Sequence, residues 1–169
     1  MNSSQSRITN IIAIVAVTLT SSLLPECLIA QPPTPVFSIA SIEAKLFYSN
    51  SGRFSADVLR DKKFAFWNTP IGEGSAQGSS DKLLLLVTVG GAPGASADDL
   101  ALRITATTPA DTILSRTTLV GEMNSSGRFY EACLLYDVGC EAVTIEAQLL
   151  LGDEKGPVVT RLVPFECGE

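Results

Sequence analysis

Residues Ser79-Ser80-Asp81-Lys82 match the S-x-x-K pattern of enzymes in which a serine attacks an acyl group. That chemistry places the serine and the lysine one helical turn apart, on the same side of a helix. Here the motif leads directly into the apolar run Leu83–Val89, which predicts a strand, and residues three apart on a strand point to opposite faces. The companion S-D-N and K-T-G motifs do not occur in the sequence. The match therefore predicts no catalytic serine.

The chain contains no histidine. This absence excludes Ser-His-Asp and Cys-His hydrolases, HExxH metalloproteases and histidine-ligated zinc or copper sites. A glycosidase that uses two carboxylates needs no histidine, but the sequence does not identify two Asp or Glu residues that must converge. The sequence thus predicts no catalytic residues, no cofactor and no enzymatic activity.

A glycine-rich segment lies between Thr69 and Asp81. Its glycines do not follow G-x-G-x-x-G, and no helix is predicted after it that could bind a phosphate at its N-terminus. Long loops between strands often carry recognition residues. We therefore expect a recognition loop here, with the candidates Gly72, Glu73, Gly74, Ser75, Gln77 and Asp81. The loop Gly90–Asp99 and an exposed sheet edge are further candidate surfaces.

Acidic residues fall in several predicted turns. If successive strands alternate in direction, six of them come from one end of the molecule: Asp61, Asp98, Asp99, Glu122, Asp153 and Glu154. Some β-sandwiches assemble oxygen cages for calcium in this way. The chain has no D-x-D-x-D-G run, and acidic turns are ordinary in an acidic protein. The sequence therefore predicts solvated turns and no metal, with Asp98, Asp99, Asp153 and Glu154 as the remaining calcium candidates.

The only tryptophan, Trp67, lies close to Phe64 and Phe66. Exposed aromatic side chains of this kind could form a platform on which a sugar stacks. A lone tryptophan in a sandwich is more often a plug in the core. We therefore expect Trp67 to be buried.

Three cysteines follow the N-terminal region: Cys133, Cys140 and Cys167. If residues 142–151 and 157–165 form a hairpin about the polar turn 152–156, then Cys140 and Cys167 are equally far along the chain from its centre. This register predicts a disulfide between them, provided no bulge shifts the pairing. A Cys133–Cys140 disulfide is the alternative. In the favoured pairing Cys133 is a free thiol, buried as an apolar residue on a strand.

Apolar residues recur with a period of two throughout the region after Pro35. This alternation predicts strands near residues 42–48, 54–58, 100–106, 113–120, 128–136, 143–149 and 158–165, and a short one near 64–67. The continuous apolar run Leu83–Val89 predicts a central strand that is buried on both faces. Eight or nine short strands separated by Gly, Pro, Ser and Asp turns predict an all-β antiparallel β-sandwich, which resembles immunoglobulin-like or C2-like sandwiches in architecture.

Residues 1–30 have the pattern of a secretory signal peptide. A polar start with Arg7 precedes the apolar run Ile11–Leu24, and Ala30 is a small residue before a proline-rich stretch. We expect cleavage near Ala30, which would leave residues 31–37 as a proline-rich extended leader and 38–169 as a single β-sandwich domain. The protein would then be exported to a periplasmic or extracellular compartment.

Two alternatives to signal cleavage remain open. The segment Ile8–Ala30 could just span a bilayer, although Pro25 and Glu26 fit poorly in a spanning helix. Lipid attachment at Cys27 is disfavoured because the residues before it are not small. Association with a membrane is thus expected only if the N-terminal segment stays uncleaved.

The charge and composition limit the class of function. The formal net charge of −6 disfavours a nucleic-acid binder, which needs a dense Lys/Arg surface. Together with the absence of histidine, it favours a non-catalytic module that binds a protein partner or has a structural role. A carbohydrate-binding module, a calcium-dependent binding domain and a carboxylate-dependent hydrolase are the alternatives. The sequence does not indicate the oligomeric state.

Overall fold

The computed structural model describes residues 36–168, and the predicted signal peptide and most of the leader lie outside them. The described residues form two antiparallel four-stranded sheets, so the predicted β-sandwich is confirmed. No helix within them is long and apolar enough to cross a membrane. The eight strands are β1 Ser38–Tyr48, β2 Arg53–Phe54, β3 Leu83–Gly90, β4 Leu100–Thr107, β5 Thr112–Leu119, β6 Arg128–Leu135, β7 Val143–Leu151 and β8 Glu154–Val163.

The strand order is β2-β1-β3-β6 in sheet 1 and β5-β4-β7-β8 in sheet 2. In the immunoglobulin convention β1-β3-β6 corresponds to A-B-E, and β4-β7-β8 corresponds to C-F-G with β5 in the C′ position. The core lies between the two sheets, because alternate residues of each strand point inward. Its largest fully buried side chains include Leu46, Leu85, Leu102, Ile104, Ile145 and Phe165.

Strand β2 is shorter than the sequence predicts. Only Arg53 and Phe54 pair with β1, and two side chains then replace the backbone as acceptors. Ser55 Oγ accepts the Leu46 N–H at 2.9 Å, and Asp57 Oδ1 accepts the Ala44 N–H at 3.0 Å. Because Ser and Asp side chains compete with a strand for backbone donors, the chain leaves the sheet while the edge of β1 stays hydrogen-bonded.

The hairpin β7–β8 carries the disulfide that its register predicts. Cys140 and Cys167 are bonded at the open end of the hairpin, with Cα atoms 4.6 Å apart, and Cys133 is free and buried. The turn is tighter than expected, since β8 begins at Glu154, and a bulge shifts the register between Gln148 and Leu150. The shift is one residue, which still leaves the two cysteines close enough to bridge.

The free edges carry charged residues that point toward the interior. Arg116 lies opposite Ile104, Glu131 opposite Val87 and Arg161 opposite Ile145, and the three apolar partners are all buried. These charged residues occupy β5, β6 and β8, the outermost strands on three edges. Inward-pointing charges discourage another strand from pairing with an edge. These three edges are therefore poorly suited to strand addition.

Candidate functional site

The glycine-rich segment Thr69–Asp81 is hydrogen-bonded to the rest of the domain at several points. It begins with a short 3-10 helix, Thr69–Ile71. Ser75 and Ala65 exchange two hydrogen bonds of 2.9 Å, and the Gln77 N–H donates to the Tyr48 hydroxyl at 3.2 Å. The candidates Gly72, Glu73, Gly74, Ser75, Gln77 and Asp81 therefore lie on a loop that packs against the sandwich. Whether they recognise a ligand stays a prediction.

The C-terminal segment, residues 166–168, forms hydrogen bonds with Asn68, which immediately precedes this loop. The Asn68 N–H donates to the Glu166 carbonyl at 2.8 Å, and the Gly168 N–H donates to Asn68 Oδ1 at 3.1 Å. Asn68 Nδ2 in turn donates to Glu73 Oε2 at 2.7 Å. Since Cys167 is bonded to Cys140, the disulfide ties this segment to the loop after β6.

Trp67 is 41% exposed, so the expectation that it plugs the core is wrong. The residue pairs with Glu166 in an isolated parallel bridge, and the Gly168 backbone lies against its ring. The short strand predicted near residues 64–67 reduces to this bridge. Phe165 takes the core position, with its ring edge-on to Phe66 at 5.6 Å between centroids.

The acidic turn residues lie where alternating strand directions place them. Strand β4 begins just after Asp98 and Asp99, and β8 begins at Glu154, so these residues share one end of sheet 2 with Asp153. The Gly152 N–H donates to the Asp99 carbonyl at 3.3 Å. In residues 36–168 no group of three or more acidic or cysteine side chains is arranged to hold a metal ion.

In the S-x-x-K motif, Lys82 contacts Ser49 and Asp81, and no hydrogen bond joins it to Ser79, the serine of the pattern, within the described residues. Lys82 Nζ donates to Ser49 Oγ at 3.0 Å and lies 3.9 Å from Asp81 Oδ1. Ser80 is buried, and its single hydroxyl donor lies between two backbone carbonyls, those of Phe47 at 2.9 Å and Lys82 at 3.1 Å. The contacts of Ser80 and Lys82 therefore attach the end of the loop to the start of β3.

Cys133 lies next to an ion pair at the open side between β5 and β6. Burial raises the pKa of its thiol, and the Glu131 carboxylate raises it further, while the Arg116 guanidinium opposes the shift. A protonated, buried thiol is a poor nucleophile. The position is thus consistent with an apolar packing role.

A polar groove runs along the open side of β1, where residues 55–61 cross it. Two adjoining depressions of about 430 and 360 Å³ share Glu43, Asp57 and Arg60. Lys45 Nζ lies 3.1 Å from Glu43, and Asp57 Oδ1 accepts the N–H groups of Ala44 and Leu59. Both shared carboxylates therefore already have partners within the chain.

The outer face of sheet 1 is unusually apolar. Alternation places eight apolar side chains on it, and we call this set the apolar face: Phe47, Phe54, Leu84, Leu86, Tyr130, Ala132, Leu134 and Tyr136. Three of its four aromatic residues are exposed, at 48% for Phe54, 53% for Tyr130 and 59% for Tyr136, and Phe47 is partly buried. No described segment covers this face.

The leucines of β3 account for the centre of this surface. The sequence predicts β3 to be buried on both faces, and β3 is indeed central in its sheet, between β1 and β6. Leu84 and Leu86 are nevertheless only half-buried, because the described sandwich has one layer on the inner side and none on the outer. Leu134 lies directly opposite Leu84 and extends the aliphatic surface onto β6.

The outer face of sheet 2 is polar by comparison. The middle of its two central strands presents Arg103, Thr105 and Thr107 on β4, and Thr144, Glu146 and Gln148 on β7, with Ala101 and Leu150 at one end. Its edge strands also carry exposed apolar side chains on this face: Leu119, Val158 and Leu162. One polar and one buried face is the usual pattern for an antiparallel sheet. The central strands of sheet 2 largely follow this pattern, whereas β3 and β6 of sheet 1 depart from it.

Comparison with known proteins does not identify a family. No family model and no curated protein matches the chain. A solved structure described as a putative beta-galactosidase from Bacteroides fragilis matches 50% of this chain with 11% identity and a TM-score of 0.35. The matched part spans 14% of that much longer protein. A likeness this low provides no basis for transferring an activity.

Proposed function

We propose that this domain is a non-catalytic protein-binding module whose recognition surface is the apolar face. The observation that carries the proposal is the contrast between the outer side of β3 and β6, which is mostly apolar, and the central strands of sheet 2, which are mostly polar. An exposed apolar patch on a sheet that would ordinarily be polar is a common mark of a protein interface. The aromatic residues at its margins are of the type enriched among the residues that contribute most to binding energy.

A protein partner fits this surface better than a sugar. Sugar sites combine aromatic platforms with many hydrogen-bonding side chains that fix the hydroxyl groups. The centre of the apolar face is aliphatic, formed by Leu84, Leu86 and Leu134, and therefore offers contact area without donors or acceptors. The apolar face also holds no nucleophile and no acid–base pair, which is why we propose binding rather than catalysis.

Export remains part of the proposal. The Cys140–Cys167 disulfide supports an oxidising compartment, because such bonds are rare in reducing cytosol. The predicted signal peptide would deliver the chain to that compartment. Loss of residues 1–30 would remove one basic and one acidic residue, which leaves the net charge at −6.

The test compares binding by two double variants. Leu84→Gln/Leu86→Gln makes the centre of the apolar face polar, whereas Thr105→Gln/Thr107→Gln changes the same pattern of positions on a central strand of sheet 2. We expect the wild type and the sheet 2 variant to retain the same partner, and the sheet 1 variant to bind it at least about tenfold more weakly. The measurement is quantitative mass spectrometry of proteins cross-linked to the exported chain in its own host.

Two outcomes would contradict the proposal. Equal partner recovery from all three proteins, with thermal melts showing all three folded, would exclude the apolar face as the binding surface. A saturable signal on a glycan array that depends on Phe54 and Tyr136 would favour the carbohydrate-binding alternative instead.

A further inference from the structure

The apolar face has a cationic side chain at each end. Outward positions on β3 and β6 form opposed pairs, which run from Leu84 with Leu134 to Gly90 with Arg128. Lys82 immediately precedes β3, and its Nζ lies 5.9 Å from the ring centroid of Phe47 and 6.0 Å from that of Tyr136. Lys82 thus lies at one end of the apolar face, and Arg128 lies at the other.

Arg128 is placed over the sheet by the absence of a side chain at Gly90. A Cβ at Gly90 would lie 2.6 Å from the Arg128 guanidinium, so the guanidinium occupies the space above this glycine. No salt bridge to Arg128 is found within residues 36–168, and Lys82 Nζ has two polar partners, Ser49 Oγ at 3.0 Å and Asp81 Oδ1 at 3.9 Å. An ammonium group has three N–H donors, so Lys82 can still donate to a partner.

The local charge differs in sign from that of the whole protein. The strands of the apolar face carry one acidic side chain on the same outer side, Glu43, which lies 3.1 Å from Lys45. The remaining charges, Lys82 and Arg128, are positive, although the chain as a whole carries −6. A partner that is acidic at the two ends of an apolar stripe would match this arrangement.

We infer that the partner contributes an acidic amphipathic helix that lies along β3 and β6, an inference that rests on the proposed function. A helix or a second sheet can cover the apolar face of a sheet, and a helix also presents charged residues at a regular spacing along one side. Lys82 and Gly90 are eight residues apart on a strand, or roughly 26 Å at about 3.3 Å per residue. Five complete turns of a helix span about 27 Å, so two carboxylates 18 residues apart on one side of the helix would reach both cations.

An anionic membrane is the weaker match to the same surface. Each basic residue near a lipid surface contributes only weakly to binding, and two of them would have to overcome the repulsion of an acidic domain. A helix with two carboxylates has to match only the charges close to it, Lys82 and Arg128, and is less affected by the negative charge of the rest of the domain. Vesicle binding is therefore included in the test as an outcome that would overturn the inference.

The experiment titrates the full exported chain with three synthetic helical peptides. The peptides share one stripe of leucines and differ at two positions 18 residues apart, which hold Glu, Gln or Lys. We expect the Glu peptide to bind about threefold to tenfold more tightly than the Gln peptide, and the Lys peptide to bind most weakly. Lys82→Glu/Arg128→Glu should invert this order. Lys62→Glu/Lys63→Glu, which makes the same change in net charge at exposed positions elsewhere, should preserve it.

The outcomes separate this inference from the proposed function. If the three peptides bind equally, and Leu84→Gln/Leu86→Gln abolishes binding, the charge inference fails while the apolar face stands. If Leu84→Gln/Leu86→Gln binds the Glu peptide as the wild type does, the proposed function fails. No binding by any peptide, or binding to vesicles containing phosphatidylserine that depends on Lys82 and Arg128, would overturn the acidic helix.

Discussion

The guanidinium of Arg116 on β5 lies 3.1 Å from the carboxylate of Glu131 on β6, so this ion pair joins the edge strands of the two sheets. The Glu131 side chain is 11% exposed and that of Arg116 is 51% exposed. The carboxylate therefore depends on this partner more than the guanidinium does, because an ionised group held away from water is costly without one.

Removing the arginine should destabilise the protein. We expect Arg116→Ala to lower the free energy of unfolding by about 1–2 kcal/mol, a value reduced by the solvent exposure of the arginine. In the Glu131→Gln background the same substitution should cost under about 0.5 kcal/mol. Urea unfolding of the wild type, the two single variants and the double variant measures the coupling energy between Arg116 and Glu131. If the stability losses of the single variants simply add in the double variant, the ion pair does not stabilise the protein.

Cys133 should stay protonated and unreactive in the folded protein. Its pKa is raised, chiefly by burial, so the folded state holds the thiol proton more tightly than the unfolded state does. The resulting stability is fully present below the ordinary thiol pKa of about 8.5 and is lost as the pH rises toward the folded-state pKa. We expect wild-type stability to fall more steeply above about pH 8.5 than that of Cys133→Ala. Parallel slopes, or rapid alkylation of the native thiol at neutral pH, would disprove this.

The disulfide should be a major source of stability. Cys140 and Cys167 are 27 residues apart, for which the chain-entropy estimate gives about 3.5 kcal/mol. Reduction should lower the free energy of unfolding by about that amount and shift the Trp67 emission to longer wavelength, because Glu166 and Gly168 would no longer be tethered beside the indole. Cys133→Ala is the control, since it should respond to reductant as the wild type does. An unchanged urea midpoint after complete reduction would refute the estimate.

Features set by local pattern could be predicted from the sequence. Alternation located β4 and β6 to within one residue at each end, and the symmetry of Cys140 and Cys167 about a hairpin turn was enough to pair them despite the bulge in β8 opposite Leu149. The buried, free state of Cys133 follows from the same two arguments. In each case the signal is local in the sequence, either alternation within one strand or symmetry about one hairpin turn.

Features that depend on contacts between distant parts of the chain could not be predicted from the sequence. An apolar run such as Leu83–Val89 shows that both sides of a strand are apolar, but not whether a second layer covers the outer one. Trp67 is exposed, whereas Phe165, about a hundred residues later, is buried against Phe66, and the spacing of Phe64, Phe66 and Trp67 does not show which aromatic residue enters the core. The apolar face depends on the order of β1, β3 and β6, which joins residues from three separate parts of the chain.

Two glycines allow the fit of the loop to be tested against a matched control. Gly74 and Gly52 have nearly the same backbone conformation, with φ of +66° and +65°. A Cβ at Gly74 would collide with the Ala65 carbonyl oxygen and lie 2.8 Å from that of Trp67, whereas a Cβ at Gly52 would meet nothing within 4 Å. Alanine at either position suffers the same left-handed strain, and only at Gly74 does it also suffer a steric clash with backbone atoms.

We therefore expect Gly52→Ala to cost about 1 kcal/mol and Gly74→Ala about 3 kcal/mol, because backbone atoms cannot move aside as a flexible side chain can. Urea unfolding measures both costs, and the difference between them isolates the packing of the loop from the strain of its backbone. Hydrogen exchange at Ser75 and Ala65 should also become faster in Gly74→Ala, since their two mutual hydrogen bonds lie beside the clash. Equal costs for the two substitutions would mean that residues 69–81 do not hold this conformation in solution.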